Sequence, residues 1–598
     1  MRRGIRKDRD CEDRTLMDAG RESFSIRLRV DFTGAWAYEP LYVAGPVRLS
    51  LRLAGHTPGL EEYDERRGNY LNFPTPDGNC PVIEATICER GGRVGIPLGA
   101  LARPDGVHDV TLDFSPPRWA IQVDGLRDED YPPAPADIAW QDGPLRGEVL
   151  SARVQSCCCP LAVEARKKAS GQQQEGGLRQ GEDSRRITRS IQYWTPDDPD
   201  AWVGDVALGS WRGRLHVFYL FDRRHHGSGG GTGRHFFAHL SSANLISWHE
   251  HPPAVSIGEW WETIGTGTPF VHDGRLHLAY GLHTDRLPKD PSLPIGATYA
   301  SSDDGIHFRK SGRIIHPTQN PTIYNRTDGL LGLAAGYAGT CGLWTSDHIG
   351  DWQPYDSDIP VLGDCPCPFE WNGHHYILQG FNGFAHSATG LPGTWEDWAA
   401  AALAPYDGLS VPMVAPFGEN RRILAGWLKY TDGLWGGWLV FRELVWNGDG
   451  TLGTKWVPEI APPSPPETFE ARLGRQLRVV FQHDGGYGPA LTFAFDPAER
   501  TASFADDVPD TRWSALDSAD NIRIGNLPEF AEGCTVRIVR HWDAKADATI
   551  FDAEIGGVRT LICRRKGRFG KGTAEQVWIQ SRCCRITSTG KRTINELV

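Results

Sequence analysis

Acidic residues that stand just ahead of short apolar strands, far apart in the chain, are the first chemistry this sequence offers. Asp205 lies in Trp202-Val-Gly-Asp-Val206, ahead of the strand-like run Gly213-Arg-Leu-His-Val-Phe-Tyr219. Asp364 and Glu370 lie in Gly363-Asp-Cys-Pro-Cys-Pro-Phe-Glu-Trp-Asn-Gly373, ahead of another such run. If a fold gathers these strand starts, two carboxylates can face each other across a sugar-sized gap. One then serves as nucleophile or base and the other as proton donor, which is what cleaving a glycosidic bond requires. The bland alternative for Asp205 is a turn aspartate after glycine.

The elements that would position them repeat along the chain. A turn followed by a strand recurs at Gly213–Tyr219, Gly274–Tyr280, Gly329–Ala335, Gly373–Leu378 and Asn420–Trp427. A second strand, a turn and an aromatic follow each time, at 238–251, 297–312, 343–356, 384–397 and 439–452. Five units spaced by about 45–60 residues match one four-stranded blade each. A blade buries its faces only against its neighbours, so the array must close into a ring. The sequence therefore predicts an all-β chain with a five-bladed β-propeller over 191–460. Its innermost strands line a central funnel, and Phe308, Trp352 and Trp395 pack between blades.

Flanking segments read differently. Residues 21–150 predict an N-terminal β-sandwich, with a hairpin of alternating apolar and polar residues on either side of Pro116-Pro117. Its string WAIQVDGLRDEDYP resembles the signature strand of laminin-G and concanavalin-like sandwiches. Residues 151–190 are polar, charged and poor in aromatics, which predicts a disordered linker. After the Pro-rich hinge at 461–470, apolar strands resume and predict a C-terminal β-sandwich over 466–565. The remainder, 566–598, reads as an irregular basic tail.

Composition agrees with this and narrows the partners. The 598 residues carry 69 Gly, 42 Pro and 22 Trp but only 3 Met, a mix that suits many short strands closed by turns. A net charge of −12 argues against nucleic acid, which recruits basic surfaces, and suits a neutral substrate such as a carbohydrate. No apolar run is long enough for a transmembrane helix, so no membrane partner is expected. Thirteen cysteines, an odd number with adjacent runs at 157–159 and 583–584, argue against a disulfide framework and for a reducing compartment. The charged start lacks the apolar stretch of a secretory signal, which makes the cytoplasm the default expectation.

Around the two acidic stretches the chain resembles glycoside hydrolase family 32. In that family a nucleophilic aspartate sits in a W-x-N-D-P-N-G box ahead of a G-x-Y-H-L-F-Y-Q strand. The matching positions here are Trp202, Asp205 and the strand from Gly213. Blade one ends in AHLSSANLISWHEHP and blade five contains Gly426-Trp427 and an Arg-Glu-Leu strand, both similar to the family pattern. The family's acid/base E-C-P box falls on Asp364, Cys365 and Pro366, with an aspartate one methylene shorter than the usual glutamate; Glu370 is a possible substitute. The family's R-D-P triplet falls on Gln319, Asn320 and Pro321, so an amide replaces the carboxylate. Asn320 is then either a sugar ligand or a turn residue before proline. Thr266 and Thr268 occupy the place of a hydroxyl-bearing stretch that touches substrate.

The resemblance implies a retaining β-fructofuranosidase-like enzyme without cofactor. Asp205 would attack the anomeric carbon, and Asp364 would protonate the leaving oxygen and then activate water. Trp202, Thr266, Thr268, Gln319, Asn320 and Cys365 would contact the sugar. Two other readings stay open: a carbohydrate-binding protein whose catalysis has lapsed, and a glycosyl-transferring enzyme on a different sugar. Asp222, Arg223, Arg224, His225 and His226 follow a blade-one strand and belong either to the funnel rim or to an ion-paired loop. The glycine-rich stretch 227–233 lacks the Lys-Ser/Thr of a phosphate-binding loop. His235 with His239, and Cys365 with Cys367, lack the spacing or partners of a metal site.

Overall fold

The computed structural model describes residues 24–31, 40–44, 47–53, 81–87, 93–97, 101, 107–115, 117–131 and 164–167. From 184 to 578 it describes all but 199–200, 227, 229–232, 260, 285–291, 319, 338–339, 356–363, 381–382, 391–392, 400–402, 407, 432–433, 485–489 and 507–521. Every named element among them is a β-strand.

The N-terminal strands form two antiparallel sheets. One runs in the order Leu126–Asp130, Arg118–Val123, Val107–Ser115, Phe24–Asp31, Glu164–Lys167, and the other is a meander from Pro40–Ala44 to Arg93–Pro97. Alternation explains the packing: Val110, Leu112 and Phe114 are buried, Thr111 and Asp113 between them are half-buried, and Asp109 before them is exposed. Ile83, Ala85, Val94 and Ile96 supply the facing core, and Arg93–Pro97 lies against Leu126–Asp130. Most of 151–190 lies outside the described residues. Within it, however, Glu164–Lys167 pairs with Phe24–Arg27 and Arg185–Arg186 adds to the outer edge of blade one, so the expected linker carries two strands.

Five four-stranded units follow, and the innermost strand of each touches that of the next: Ala201–Trp211, Thr263–His272, Pro321–Asn325, Cys367–Trp371 and Leu409–Phe417. The last of these touches the first, closing the ring. Tight turns set the blades' register. Arg212-Gly213, Asp273-Gly274 and Asn372-Gly373 each place both residues at positive φ, from 47° to 81°, the backbone twist that suits a two-residue hairpin. The seam is closed by hydrogen-bonded pairing: Val203 of blade one pairs with Gly437 of blade five, and Trp194 bridges to Leu439, so both blades share one nine-stranded sheet.

The C-terminal unit is a sandwich of two sheets around Phe481, Phe493, Phe495, Phe504, Ile538 and Phe551. The basic tail needs a correction. Thr573–Trp578 is a strand that pairs with Arg475–Val480 and completes the second sheet, because the short edge strand Arg475–Phe481 has a free side to satisfy. The sandwich grips the propeller through a buried pair, Arg442 Nη2 to Asp552 Oδ1 at 2.8 Å, with Tyr193 donating to the other Asp552 oxygen at 2.7 Å.

Candidate active site

The starts of the inner strands are irregular in a repeated way. The pairing of Ala201–Trp211 with Arg214–Arg223 slips between Val203 and Val206, leaving Gly204 and Asp205 opposite one residue. Blades two and five slip at the same place, at Gly265-Thr266 and at Val411-Pro412. A bulge re-aims side chains that regular pleating would send into the blade. Here it turns Asp205 and Thr266 towards each other: Thr266 Oγ1 donates to Asp205 Oδ2. Trp427 Nε1 donates to Asp205 Oδ1 at 3.2 Å.

Asp364 reaches the same cluster from blade four. The thiol of Cys365 stands among all three groups, 3.9 Å from Asp205 Oδ2, 3.4 Å from Thr266 Oγ1 and 3.5 Å from Asp364 Oδ1. Cys365 itself adopts φ 51°, a kink that lets its side chain and that of Asp364 both face the cluster. Asn320 donates Nδ2 to Asp364 Oδ1 at 2.8 Å, and the Cys365 amide donates to the same oxygen at 3.0 Å.

Burial sets the electrostatics. Asp205 is 8 % exposed. Desolvation pushes its carboxyl up to about 6; the Thr266 hydrogen bond opposes this and the charge of Asp364 adds to it. The Cys365 thiol is pushed well up by burial and by the two nearby carboxylates, so it stays a neutral, uncharged donor.

The remaining expected contacts divide. Gln319 lies outside the described residues. Thr268 is not turned to the funnel: its hydroxyl donates to the Ile323 carbonyl and accepts from the Ile323 amide, both at 2.9 Å, stitching blade two to blade three. Trp202 is buried under its own neighbours, with ring centroids 4.9 Å from His225 and 5.0 Å from Tyr430, and the Lys545 ammonium 4.6 Å above it. It is a wall of the fold and not a surface for sugar. Glu370 is excluded as the substitute acid, since it lies at the hairpin end of its strand and lines a 530 Å³ cavity there with Asn325 and Arg326. His235 stacks on Trp435 while His239 bonds His216, so the two go to separate surroundings. Among the described residues, no group of three His, Cys, Asp or Glu could hold a metal ion.

Two site residues escaped the sequence reading. Trp427 was visible as the end of a repeated strand, but nothing in its spacing announced a bond to Asp205. The outer end of the Trp435 ring covers Gly204: a Cβ there would fall 1.9 Å from it, so only glycine fits.

Residues 198–358 match the glycosyl hydrolases family 32 N-terminal domain. The sucrose-6-phosphate hydrolase of Escherichia coli is 24 % identical over 291 residues, covering 42 % of this chain and 59 % of that protein. The sucrose:sucrose 1-fructosyltransferase of Festuca arundinacea is 27 % identical over 176 residues, covering 26 % of this chain and 25 % of that one. This chain thus spans less than two thirds of the length of these relatives. Among solved structures, the Bombyx mori GH32 β-fructofuranosidase is similar at 17 % identity and TM-score 0.47, over 65 % of this chain and 93 % of that one. By the profile that its residues 198–358 match and the relatives that align with it, the propeller segment is similar to glycoside hydrolase family 32.

Proposed function

We propose that this chain hydrolyses terminal β-fructosides, of sucrose, levan or inulin type, by a retaining double displacement. One observation carries the reading: Asp205 and Asp364, from blades one and four, converge on a single thiol. Those two legs limit the separation of the oxygens to about 7.4 Å, which admits the ~5–5.5 Å of a retaining pair and leaves out most of the wider inverting range. The sucrose-directed names of the relatives support the substrate class.

In the first step Asp205 attacks the anomeric carbon as the glycosidic C–O bond breaks, and Asp364 passes its proton to the leaving oxygen. In the second, Asp364 takes a proton from water, whose oxygen attacks the same carbon and releases Asp205. Three donors converge on Asp364 Oδ1, which leaves Oδ2 as the oxygen that carries the transferred proton. Thr266 and Trp427 hold the two Asp205 oxygens and fix the line of attack.

A rival reading, a sugar-binding protein with lapsed catalysis, draws on Asn320. Its amide is committed to Asp364, and it brings no negative charge to oppose a developing cation. Turnover of sucrose, inulin, levan and aryl fructosides separates the two. The proposal expects release of fructose by the wild type and its loss in Asp205→Asn. Sugar binding without turnover in the wild type would establish the rival instead.

A further inference from the structure

Strand Arg214–Arg223 ends at the funnel mouth in an unusual turn: Arg224, His225 and His226 all lie at positive φ, 57°, 50° and 73°. Three consecutive residues with side chains in the left-handed region are strained, and persist only where surroundings enforce them. The enforcement comes from outside the propeller. Asp128 accepts from Arg224 Nη2 at 2.5 Å and pairs with Arg223 at 3.3 Å, and Asp130 lies 3.1 Å from Arg224 Nη1. Asp130 also accepts from Ser228 at 2.7 Å, and Glu129 lies 3.3 Å from Arg223. These charges are sealed from solvent, so each depends on its partner.

From this turn the contacts run inward. His225 donates Nδ1 to the Trp435 carbonyl at 2.8 Å. The His226 amide donates to Asp222 at 2.7 Å, and the His226 ring meets the edge of Trp435 at 5.6 Å. Trp435 lies on Gly204, beside Asp205, and its centroid is 5.5 Å from that of Trp427, the donor to Asp205.

We propose that the N-terminal sandwich is a working part of the active site: its strand Leu126–Asp130 clamps Arg224 and so holds Trp435 against the Asp205 bulge. Arg224 and Trp435 are then positioning residues for the nucleophile. The inference rests on the reading of Asp205 as nucleophile. It predicts that loosening either end of the clamp has one and the same consequence. Water reaches the bulge, the Asp205 carboxyl is less desolvated, and its titration moves to lower pH. The groups that face it, Thr266, Cys365, Trp427 and Asp364, are unchanged in every variant used.

The test is a double-mutant cycle in the full chain, with Asp130→Asn and Trp435→Phe, measuring kcat/KM for sucrose against pH. Each single variant should lose about tenfold, and the double variant about tenfold again in total and not a hundredfold, because coupled sites are non-additive. The acid limb should move down in both. Multiplying losses, or an acid limb that stays in place in Asp130→Asn, would overturn the proposal. If Asp130→Asn does not fold, Arg224→Lys replaces it, keeping a cation between the two aspartates. If the wild type turns over no fructoside, the functional reading falls. The clamp is then still decided by 13C NMR titration of the Asp205 carboxyl, assigned with Asp205→Asn, since identical titration in wild type and Asp130→Asn refutes it.

Discussion

At the scale of single residues, the chemistry turns on the protonation of one buried carboxyl. As the proposed nucleophile Asp205 would attack only when ionised, and desolvation raises its titration to about 6. Fructoside kcat/KM is therefore expected to fall about tenfold per pH unit below that point. Thr266→Val removes the hydrogen bond that favours the charged form, so the acid limb should move to higher pH; a limb that moved down would contradict the assignment. Asp364→Asn should lower kcat by about 10²–10⁴-fold on substrates whose leaving group needs a proton. That Asp205 and Asp364 come together was legible in the sequence because each sits in a box ahead of a strand of the repeat. Thr268 and Trp202 were misjudged for the opposite reason: a motif gives a position along a strand, but not which face a bulge turns it to. Their partners, the Ile323 backbone and Tyr430, come from other blades.

At the scale of elements, blade one hides a second titrating group. His216 Nδ1 and His239 Nε2 lie 3.0 Å apart, the His239 and His251 rings meet at a tilt with centroids 4.5 Å apart, and Ser241 bonds His251. Burial holds all three neutral, with His216 lowered to about 4 and His251 to about 3. The unfolded chain binds protons near pH 6.5 that the folded one refuses. Stability is thus complete above that pH and is lost as pH falls towards 4. Asp205, Glu250 and Asp552, with raised titrations, pull the other way, but His277, His316, His386 and His541 are lowered as well and add to the loss. Melting temperature should drop steeply between about pH 6.5 and pH 4. His251→Gln, which can still bond Ser241, should shrink the drop; an unaltered drop would place the acid sensitivity elsewhere. The strands bearing these histidines were readable from their turn glycines and alternation. Their mutual stacking was not, because it depends on which residues of three strands fall opposite one another.

At the scale of the molecule, both sandwiches are joined to the propeller by buried charge. Arg442 and Asp552 are sealed at the C-terminal junction, where removing one partner strands the other. Arg442→Met should cost about 3–5 kcal/mol in a denaturant titration, whereas replacing the exposed pair Arg275–Asp303 should cost under about 1 kcal/mol. Equal costs would mean that the junction does not contribute as its burial implies. The ring and its five units were visible in the sequence as a repeat. The final strand Thr573–Trp578 was not, since its short, mixed run Thr-Ala-Glu-Gln-Val-Trp gives no sign that an edge roughly a hundred residues earlier awaits it.

The seam between the first and last blades has a temporal consequence. The strand that bears Asp205 borders a strand made more than two hundred residues later, through Val203 and Gly437. At about 5–20 residues per second, a ribosome needs on the order of tens of seconds to supply that neighbour. Until then Asp205 lacks both the Trp427 donor and the Trp435 cover, and remains an ordinary hydrated aspartate. On the proposed reading a nascent chain is therefore inert towards sugars, and reactivity arrives all at once when the circle shuts.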